Sequence, residues 1–188
     1  MWKVLVSLSV LAVITPLILG IFSQINPKPT LTGSESLKGI TIKYLLDDWK
    51  PIKPSDDFIG EVIQFIPTNE KQLDSCTIDI TISVQDLSTQ LLSLEEYKNL
   101  AVERIKNNNP NQQITDDSKD SPTLSKFKAY KLTYTRQEGQ CKLQAIEVGT
   151  VMNLKAYFLT YTADSAKFSQ YLPIAEAMIQ SFQILENN

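Results

Sequence analysis

The stretch TIDITISV, Thr77–Val84, indicates the fold of this chain more clearly than any other part of the sequence. Two sets of side chains alternate along it: the apolar set is Ile78, Ile80, Ile82 and Val84, and the polar set is Thr77, Asp79, Thr81 and Ser83. Because successive side chains of a strand point to opposite faces of a sheet, the alternation predicts a β-strand with one face in the core. The other face is expected to be wet or lightly covered, as is typical of an antiparallel sheet.

A helix is predicted shortly after this strand. Ser93-Leu94-Glu95-Glu96 has the pattern of a capping box, in which the serine hydroxyl and a glutamate carboxylate satisfy free backbone amides. The run NNNP, residues 107–110, is expected to end the helix. Spacings of three and four residues give its expected buried stripe, which consists of Leu94, Tyr97, Ala101 and Ile105.

The remaining elements extend this pattern in both directions. Further strands are predicted at residues 39–45, 61–66, 127–135, 141–152 and 155–162, and a second helix at residues 164–182. The order is strands, helix, three strands, helix, without the strand–helix alternation of a parallel sheet. We therefore predict an α+β fold, in which an antiparallel β-sheet has helices packed on its faces.

The first 22 residues, Met1–Phe22, are expected to be a signal anchor or a signal peptide. No side chain is charged from Val4 to Phe22, and as a helix rising about 1.5 Å per residue this run could cross a hydrocarbon core of about 30 Å. Residues 23–37 are rich in proline, serine, threonine and glycine, which predicts a flexible tether. The folded domain is then expected to span residues 38–188, outside the cytoplasm.

Composition excludes several classes of chemistry. The chain contains no histidine, which removes Ser-His-Asp and Cys-His catalysis and histidine-ligated zinc sites. Its only arginines are Arg104 and Arg136, and its net charge is −3. Because a nucleic-acid surface needs clustered basic side chains, we expect no nucleic-acid partner.

Cys76 and Cys141 are the two cysteines of the chain. In a domain that faces an oxidising compartment, one structural disulfide is the first interpretation. Each cysteine comes just before a predicted strand, so the two can meet only if these strands run in the same direction and their ends converge. Two buried free thiols are the alternative, and the large spacing gives no redox or metal motif.

Six stretches, taken in order, carry a resemblance to a known family. They are GITIKYLLDDW (Gly39–Trp49), ITISVQDL (Ile80–Leu87), LSLEEYKNLAVERIK (Leu92–Lys106), FKAYKLTYT (Phe127–Thr135), KAYFLTYTAD (Lys155–Asp164) and YLPIAEAMIQSFQI (Tyr171–Ile184). In this order they resemble the PsbP-like family, whose founding member is an extrinsic protein of photosystem II. The resemblance extends over nearly all of residues 38–184.

This resemblance implies a PsbP-like α/β/α sandwich and a non-catalytic, extracytoplasmic accessory or assembly protein of a membrane complex. The partner would be that complex, by resemblance photosystem II, and the N-terminal helix would hold the domain on the thylakoid lumenal or periplasmic side of the membrane. No catalytic residue, metal ligand or cofactor is expected. An alternative function stays open, namely a periplasmic small-ligand or envelope-stress sensing domain unrelated to photosynthesis.

Two features invite a ligand site but also have a simpler interpretation. Asp116, Asp117 and Asp120 could bind calcium, but Lys119 lies among them and the glycine and distal glutamate of an EF-hand loop are missing, so a solvated loop is expected. Trp49 could stack on a ligand, although packing at the sheet edge beside the opening strand is the expected role.

The tyrosines and one glutamate of the later strands raise the same question. Tyr130 and Tyr134 are four residues apart, as are Tyr157 and Tyr161, so each pair is expected to share one face of a strand. Packing between sheet and helix is expected for them, rather than a binding platform. Glu147 interrupts an apolar strand and is expected on its exposed face, a buried acid being the alternative.

Overall fold

The computed structural model describes residues 28–53, 60–69, 76–108 and 112–185. Its strands are β1 (Gly33–Leu37), β2 (Ile40–Tyr44), β3 (Trp49–Ile52), β4 (Glu61–Pro67), β5 (Asp79–Asp86), β6 (Ile114–Asp116), β7 (Thr123–Leu124), β8 (Phe127–Lys128), β9 (Tyr130–Glu138), β10 (Cys141–Met152), β11 (Lys155–Asp164) and β12 (Gln183–Ile184). Its α-helices are α1 (Leu94–Asn108) and α2 (Phe168–Ser181). Neither of these described helices is long and apolar enough to span a membrane. The predicted N-terminal apolar helix, residues 1–22, lies outside the described residues.

An antiparallel sheet forms the centre of the domain. Among the described residues it has seven strands, in the order β3-β4-β5-β11-β10-β9-β6. The predicted hairpins are confirmed, because β9, β10 and β11 are neighbours in chain order and Val148 lies between Lys131 and Leu159. Leu159 also lies opposite Ile82 of β5, so β11 joins the two halves of the chain.

Helix α2 and a small second sheet cover one face of the central sheet. Ile80 and Ile82 of β5 are fully buried there, as their alternation predicts. They share a core with Leu159 of β11 and Met178 of α2. Strands β1, β2 and β12 form the small sheet, and Ile42 of β2 belongs to the same core.

Helix α1 covers the opposite face and begins with the predicted capping box. The backbone N–H of Ser93 donates to Glu96 Oε2 at 2.8 Å, and the backbone N–H of Glu96 donates to Ser93 Oγ at 3.3 Å. The buried residues of this helix are Tyr97, Ala101 and Ile105, three members of the predicted stripe. The α+β fold with helices on both faces of an antiparallel sheet is therefore confirmed.

The last five residues of the predicted tether form a strand. Gly33–Leu37 lies within the predicted tether, residues 23–37, but forms strand β1 and pairs with β2. The ring of Tyr44 packs so closely over Gly33 that a Cβ there would lie 2.6 Å from it. Strand β1 contains one glycine and two serines among its five residues, so it lacks the apolar alternation by which strands are predicted. The glycine is needed because the Tyr44 ring leaves no room for a side chain at that position.

A disulfide bond joins Cys76 to Cys141. Strands β5 and β10 are each antiparallel to β11, which lies between them, so β5 and β10 run in the same direction. Their first residues therefore reach the same end of the sheet, where the Cα atoms of the two cysteines are 5.5 Å apart. The two strands therefore run in the same direction with converging ends, which is the condition for disulfide formation that was inferred from the sequence.

Replacement of both cysteines by alanine is expected to lower the free energy of unfolding by about 4 kcal/mol, because the unfolded chain regains the entropy of a closed loop. The loop is long, since the two cysteines are 65 residues apart in sequence. Urea unfolding of the oxidised protein and of the Cys76→Ala/Cys141→Ala variant measures the difference. A reductant should lower the midpoint of the wild type and leave the variant unchanged. Equal midpoints for the oxidised wild type and the variant would contradict the prediction.

Candidate functional site

A groove of about 570 Å³ opens on the α1 face of the central sheet. It is lined by Gly60, Asp79, Thr81, Ser83, Gln85, Arg104, Ile105, Asn108, Gln112, Tyr134, Arg136, Glu147, Phe158, Thr160 and Thr162. We call this set of residues the polar groove. Helix α1 packs on β9 and β10, so the polar side chains of β5 line the groove instead; Thr81 is partly exposed, whereas Asp79 and Ser83 are buried.

The floor of the polar groove consists of polar side chains from β5 and β11. Thr160 lies opposite Thr81, and Thr162 lies opposite Asp79. Asp79 is only 7% exposed, and Gln64 Nε2 donates a hydrogen bond to its Oδ2 at 2.7 Å. The alternation of β5 predicts its own polar residues, whereas the contribution of β11 becomes visible only once the two strands are paired.

Glu147 is buried in this face, and the prediction that it is exposed is wrong. Its side chain is 3% exposed, and its two carboxylate oxygens accept hydrogen bonds from Arg104 Nη2 at 2.7 and 2.8 Å. The Tyr130 hydroxyl donates to Glu147 Oε1 at 2.7 Å. A carboxylate can be buried when it is paired and hydrogen-bonded in this way. Other parts of the domain cover both faces of β10. An acidic residue among its apolar residues therefore does not show which face of the strand is exposed to solvent.

Gly149 and Phe158 hold the hydrogen-bonded side chains of Tyr130 and Arg104 in place around Glu147. Tyr130 lies opposite Gly149, where a Cβ would come within 2.5 Å of the tyrosine ring. The glycine thus makes room for the ring, whose hydroxyl then reaches Glu147. The Arg104 guanidinium lies over the Phe158 ring, 4.7 Å from its centroid, which is a favourable cation–π position. The sequence contains two signals for this network, an acid in an apolar strand and a rare arginine.

Burial raises the pKa of the tyrosines around Glu147. Burial raises the pKa of Tyr97 to about 12, with the Arg104 charge opposing the rise and the Glu147 charge adding to it. The pKa values of Tyr130 and Tyr134 are also raised, first by burial and then by the charge of Glu147. The Tyr97 hydroxyl donates to Gln85 Oε1 at 3.0 Å. These tyrosines therefore keep their protons at neutral pH and act as hydrogen-bonding groups.

The second arginine of the chain reaches the polar groove from β9. Arg136 Nη2 forms an ion pair with Glu138 Oε1 at 3.0 Å, and both side chains are partly exposed. Arg136 Nε is buried without a hydrogen-bond partner among the described residues, and the same holds for Gln112 Oε1. Ile114 lies opposite Tyr134, so continuation of this register places Gln112 beside Arg136.

Other residues that the sequence singled out lie outside the polar groove. Trp49 is 1% exposed on the edge strand β3 and packs edge to face with Tyr171, with ring centroids 6.0 Å apart. Its predicted role in packing is therefore confirmed. Asp116 accepts a hydrogen bond from Lys98 Nζ at 3.0 Å, and Asp120 is exposed. In the described ranges, no three acidic or cysteine side chains converge so that they could hold a metal ion.

The members of each tyrosine pair of the later strands share one face, as their spacing predicts, and the two pairs lie on opposite faces of the sheet. Tyr130 and Tyr134 pack in the core under α1, and Tyr157 and Tyr161 pack in the core with α2. The Tyr161 hydroxyl donates to the Phe168 carbonyl at 2.7 Å. Of the four, Tyr134 lines the polar groove, so packing is their main role.

Solved structures share this backbone arrangement, although no protein-family model and no curated protein sequence matches the chain. The solution structure of cyanobacterial PsbP from Synechocystis sp. PCC 6803 matches with a TM-score of 0.57 and 12% identity, over 88% of this chain and 98% of that one. The domain has a PsbP-like fold. The crystal structure of LpqN, involved in cell envelope biogenesis of Mycobacterium tuberculosis, matches with a TM-score of 0.58 and 15% identity, over 78% of this chain and 83% of that one.

Replacement of Arg104 by methionine in this PsbP-like domain is expected to lower the free energy of unfolding by about 2–3 kcal/mol, because the Glu147 charge stays buried without its cation. The loss lies toward the low end for a buried pair, since the Arg104 side chain is 39% exposed. The Arg104→Met/Glu147→Gln double variant also removes the buried charge and should recover at least half of the loss. Urea unfolding of the wild type, both single variants and the double variant gives the coupling energy. Additive losses would show that the two side chains do not stabilise each other.

The free energy of unfolding is expected to fall as the pH rises above about 10. Tyr97 has a pKa of about 12 in the folded domain but ionises near pH 10 once unfolded. Its raised pKa therefore adds stability that is complete below about pH 10 and is lost as the pH rises through 12. Urea unfolding between about pH 9 and pH 12 measures this decline. The Tyr97→Phe variant should decline less steeply, and equal slopes for both proteins would refute this assignment.

Proposed function

We propose that this chain is a non-catalytic, extracytoplasmic accessory or assembly protein of a membrane protein complex, with photosystem II as the candidate complex. The PsbP-like fold supports the proposal, because the match to cyanobacterial PsbP extends over 98% of that protein. LpqN, whose structure is described as that of a protein involved in cell envelope biogenesis, supports a role at the cell envelope.

The disulfide and the N-terminal segment support the extracytoplasmic location. A bond such as Cys76–Cys141 forms and persists in oxidising compartments and is rare in the cytosol. The predicted anchor, Met1–Phe22, would hold the domain at the membrane surface. A tethered domain has a high effective concentration near its partner, so a small interface is enough for stable association.

The chemistry of the domain supports a non-catalytic role. The chain has no histidine, the side chain most often used for proton transfer near neutral pH. Glu147 is engaged by Arg104 and Tyr130, and burial raises the pKa of Tyr97 to about 12. Glu147 is thus held in hydrogen bonds and Tyr97 keeps its proton, so neither group is prepared for acid–base catalysis.

The observation that carries the proposal is an exposed apolar patch at the end of the sheet where β10 turns into β11. We call it the leucine patch; it consists of Leu87, Leu91, Leu92, Val151 and Leu154, which surround a shallow cavity of about 290 Å³ together with Ser93. Leu91 is 74% exposed and Leu154 is 52% exposed, Leu92 and Val151 are half-buried, and Leu87 is buried. Clustered apolar side chains in water are typical of a surface that a protein partner covers.

The backbone at Leu154 strengthens this interpretation. Asn153 and Leu154 form the two-residue turn between β10 and β11, and both have positive φ, 50° and 58°. Glycine and asparagine are the residues that adopt this conformation at little cost, whereas leucine is strained in it. A strained and exposed leucine gives the isolated domain no evident benefit, so we assign it to contact with the apolar surface of a subunit of the complex.

Purification of the tagged full-length protein from membranes of its native host in mild detergent tests the proposal. Quantitative mass spectrometry should show enrichment of photosystem II subunits with the wild type. The Leu91→Asp/Leu154→Asp variant should reduce this enrichment by about tenfold or more, because it would place two carboxylates in a desolvated interface. No enrichment of photosystem II subunits with the wild type would refute the assignment to that complex.

Two further variants serve as controls. Leu46→Asp changes another exposed leucine, 55% exposed, that lies outside the leucine patch; it should behave like the wild type. Leu154→Gly relieves the positive-φ strain, so its free energy of unfolding should stay within about 1 kcal/mol of the wild type while enrichment falls. Unchanged enrichment with both leucine-patch variants would show that this surface is not the contact.

A further inference from the structure

Both arginines of the chain line the polar groove. Arg104 reaches it from α1 and Arg136 from β9, and no lysine among the described residues lines it. A guanidinium is well suited to hold a carboxylate, because its planar N–H groups can form two parallel hydrogen bonds. The two side chains are 39% and 31% exposed, so neither guanidinium is sealed inside the protein.

The end of the groove formed by Gln112 and Arg136 lacks hydrogen bonds that its atoms need. Arg136 Nε is a donor and Gln112 Oε1 is an acceptor, and both are buried without a partner in the part of the chain that the structure describes. Nearly all buried polar atoms in folded proteins have a partner. An unpaired donor and an unpaired acceptor on neighbouring residues indicate a site that a ligand with both kinds of group would complete, after a small rotation of these side chains.

The carboxylates of the groove limit the charge of the ligand. Glu147 is already bound by Arg104, and Asp79 accepts a hydrogen bond from Gln64. Two guanidinium groups therefore face two carboxylates, and a polyanion would gain little net attraction. Arg136, whose ion pair with Glu138 is partly exposed and hence weak, is the cation best able to take one further carboxylate.

The floor of the groove indicates the rest of the ligand. Its hydroxyl groups belong to Thr81, Ser83, Thr160 and Thr162. The Thr160 hydroxyl donates to Glu147 Oε2 at 3.4 Å and the Thr81 hydroxyl donates to Asp79 Oδ2 at 3.5 Å. Each of these hydroxyl oxygens can still accept a hydrogen bond, so the floor matches a ligand that donates from hydroxyl groups of its own. The volume of about 570 Å³ lies within the range of about 300–1,000 Å³ that small-molecule sites occupy.

We propose that the polar groove binds a small hydroxylated organic acid with a single carboxylate. Arg136 holds the carboxylate, and Gln112 and the hydroxyl groups of the floor bond to the hydroxyl groups of the ligand. Arg104 positions the wall of the site through Glu147. This inference is independent of the accessory role, because the leucine patch and the polar groove share no residue.

Calorimetric titration of the full-length protein in detergent with lactate, glycerate and gluconate tests the inference. These three hydroxy acids differ in length, and at least one should bind saturably with a Kd below about 1 mM. Sorbitol matches gluconate but has no carboxylate, and acetate has a carboxylate but no hydroxyl; each should bind at least about tenfold more weakly. Amide chemical shifts that move on titration should map to β5, β9 and β11.

Two variants that each remove one positive charge distinguish a direct contact with the ligand from a long-range effect of charge. Arg136→Gln should weaken binding by about tenfold or more, and its ion pair with Glu138 is exposed enough that the fold should persist. Lys142→Gln removes the same charge from an exposed residue of β10 outside the groove and should leave binding within about twofold. The inference is overturned if none of the three acids binds below about 1 mM, if sorbitol binds as tightly as gluconate, or if Arg136→Gln binds like the wild type.

Discussion

Strand β11 is antiparallel to both of its neighbours, and the rest of the domain depends on that pairing. It joins β5, from before α1, to β10, from after it. Its side chains also divide the two layers, since Leu159 and Tyr161 pack toward α2 while Ala156 and Phe158 pack toward α1. A shift of its register by one residue would exchange these two sets and remove both cores at once.

The two layers on either side of this strand differ in character. The α2 side is closed by apolar side chains from α2, β2 and β5. The α1 side combines a smaller apolar core with a buried ion pair and a floor of hydroxyl groups. Buried polar groups cost stability unless every member of the network is satisfied. Their concentration on the α1 side therefore leaves the apolar α2 side to supply most of the stability.

Much of this architecture could be predicted from the sequence, because several elements have strong local patterns. Alternation identified β5, the Ser93–Glu96 capping box fixed the start of α1, and short connectors identified the hairpins of β9, β10 and β11. Strand β1 was missed because its contact with Tyr44 needs Gly33, which reads as a loop residue. Glu147 was expected to be exposed because that prediction assumes one wet side of the strand, whereas β10 is covered on both sides.

The convergence of the two arginines could not be predicted at all. Arg104 and Arg136 belong to different elements, and only the packing of α1 on the sheet brings them to one groove. The same limit applies to the leucine patch, whose members come from the β10–β11 turn and from the segment before α1. Local patterns describe single elements, while a site depends on how the elements meet.

The disulfide ties together the two strands on either side of the central strand. Both cysteines precede β11 in the chain, and they join the starts of the two strands between which β11 lies. The bond therefore links the neighbours of β11 without using any residue of β11 itself. Reduction would release these two strands from each other and leave the hydrogen bonds of β11 as the connection between them at that end of the sheet.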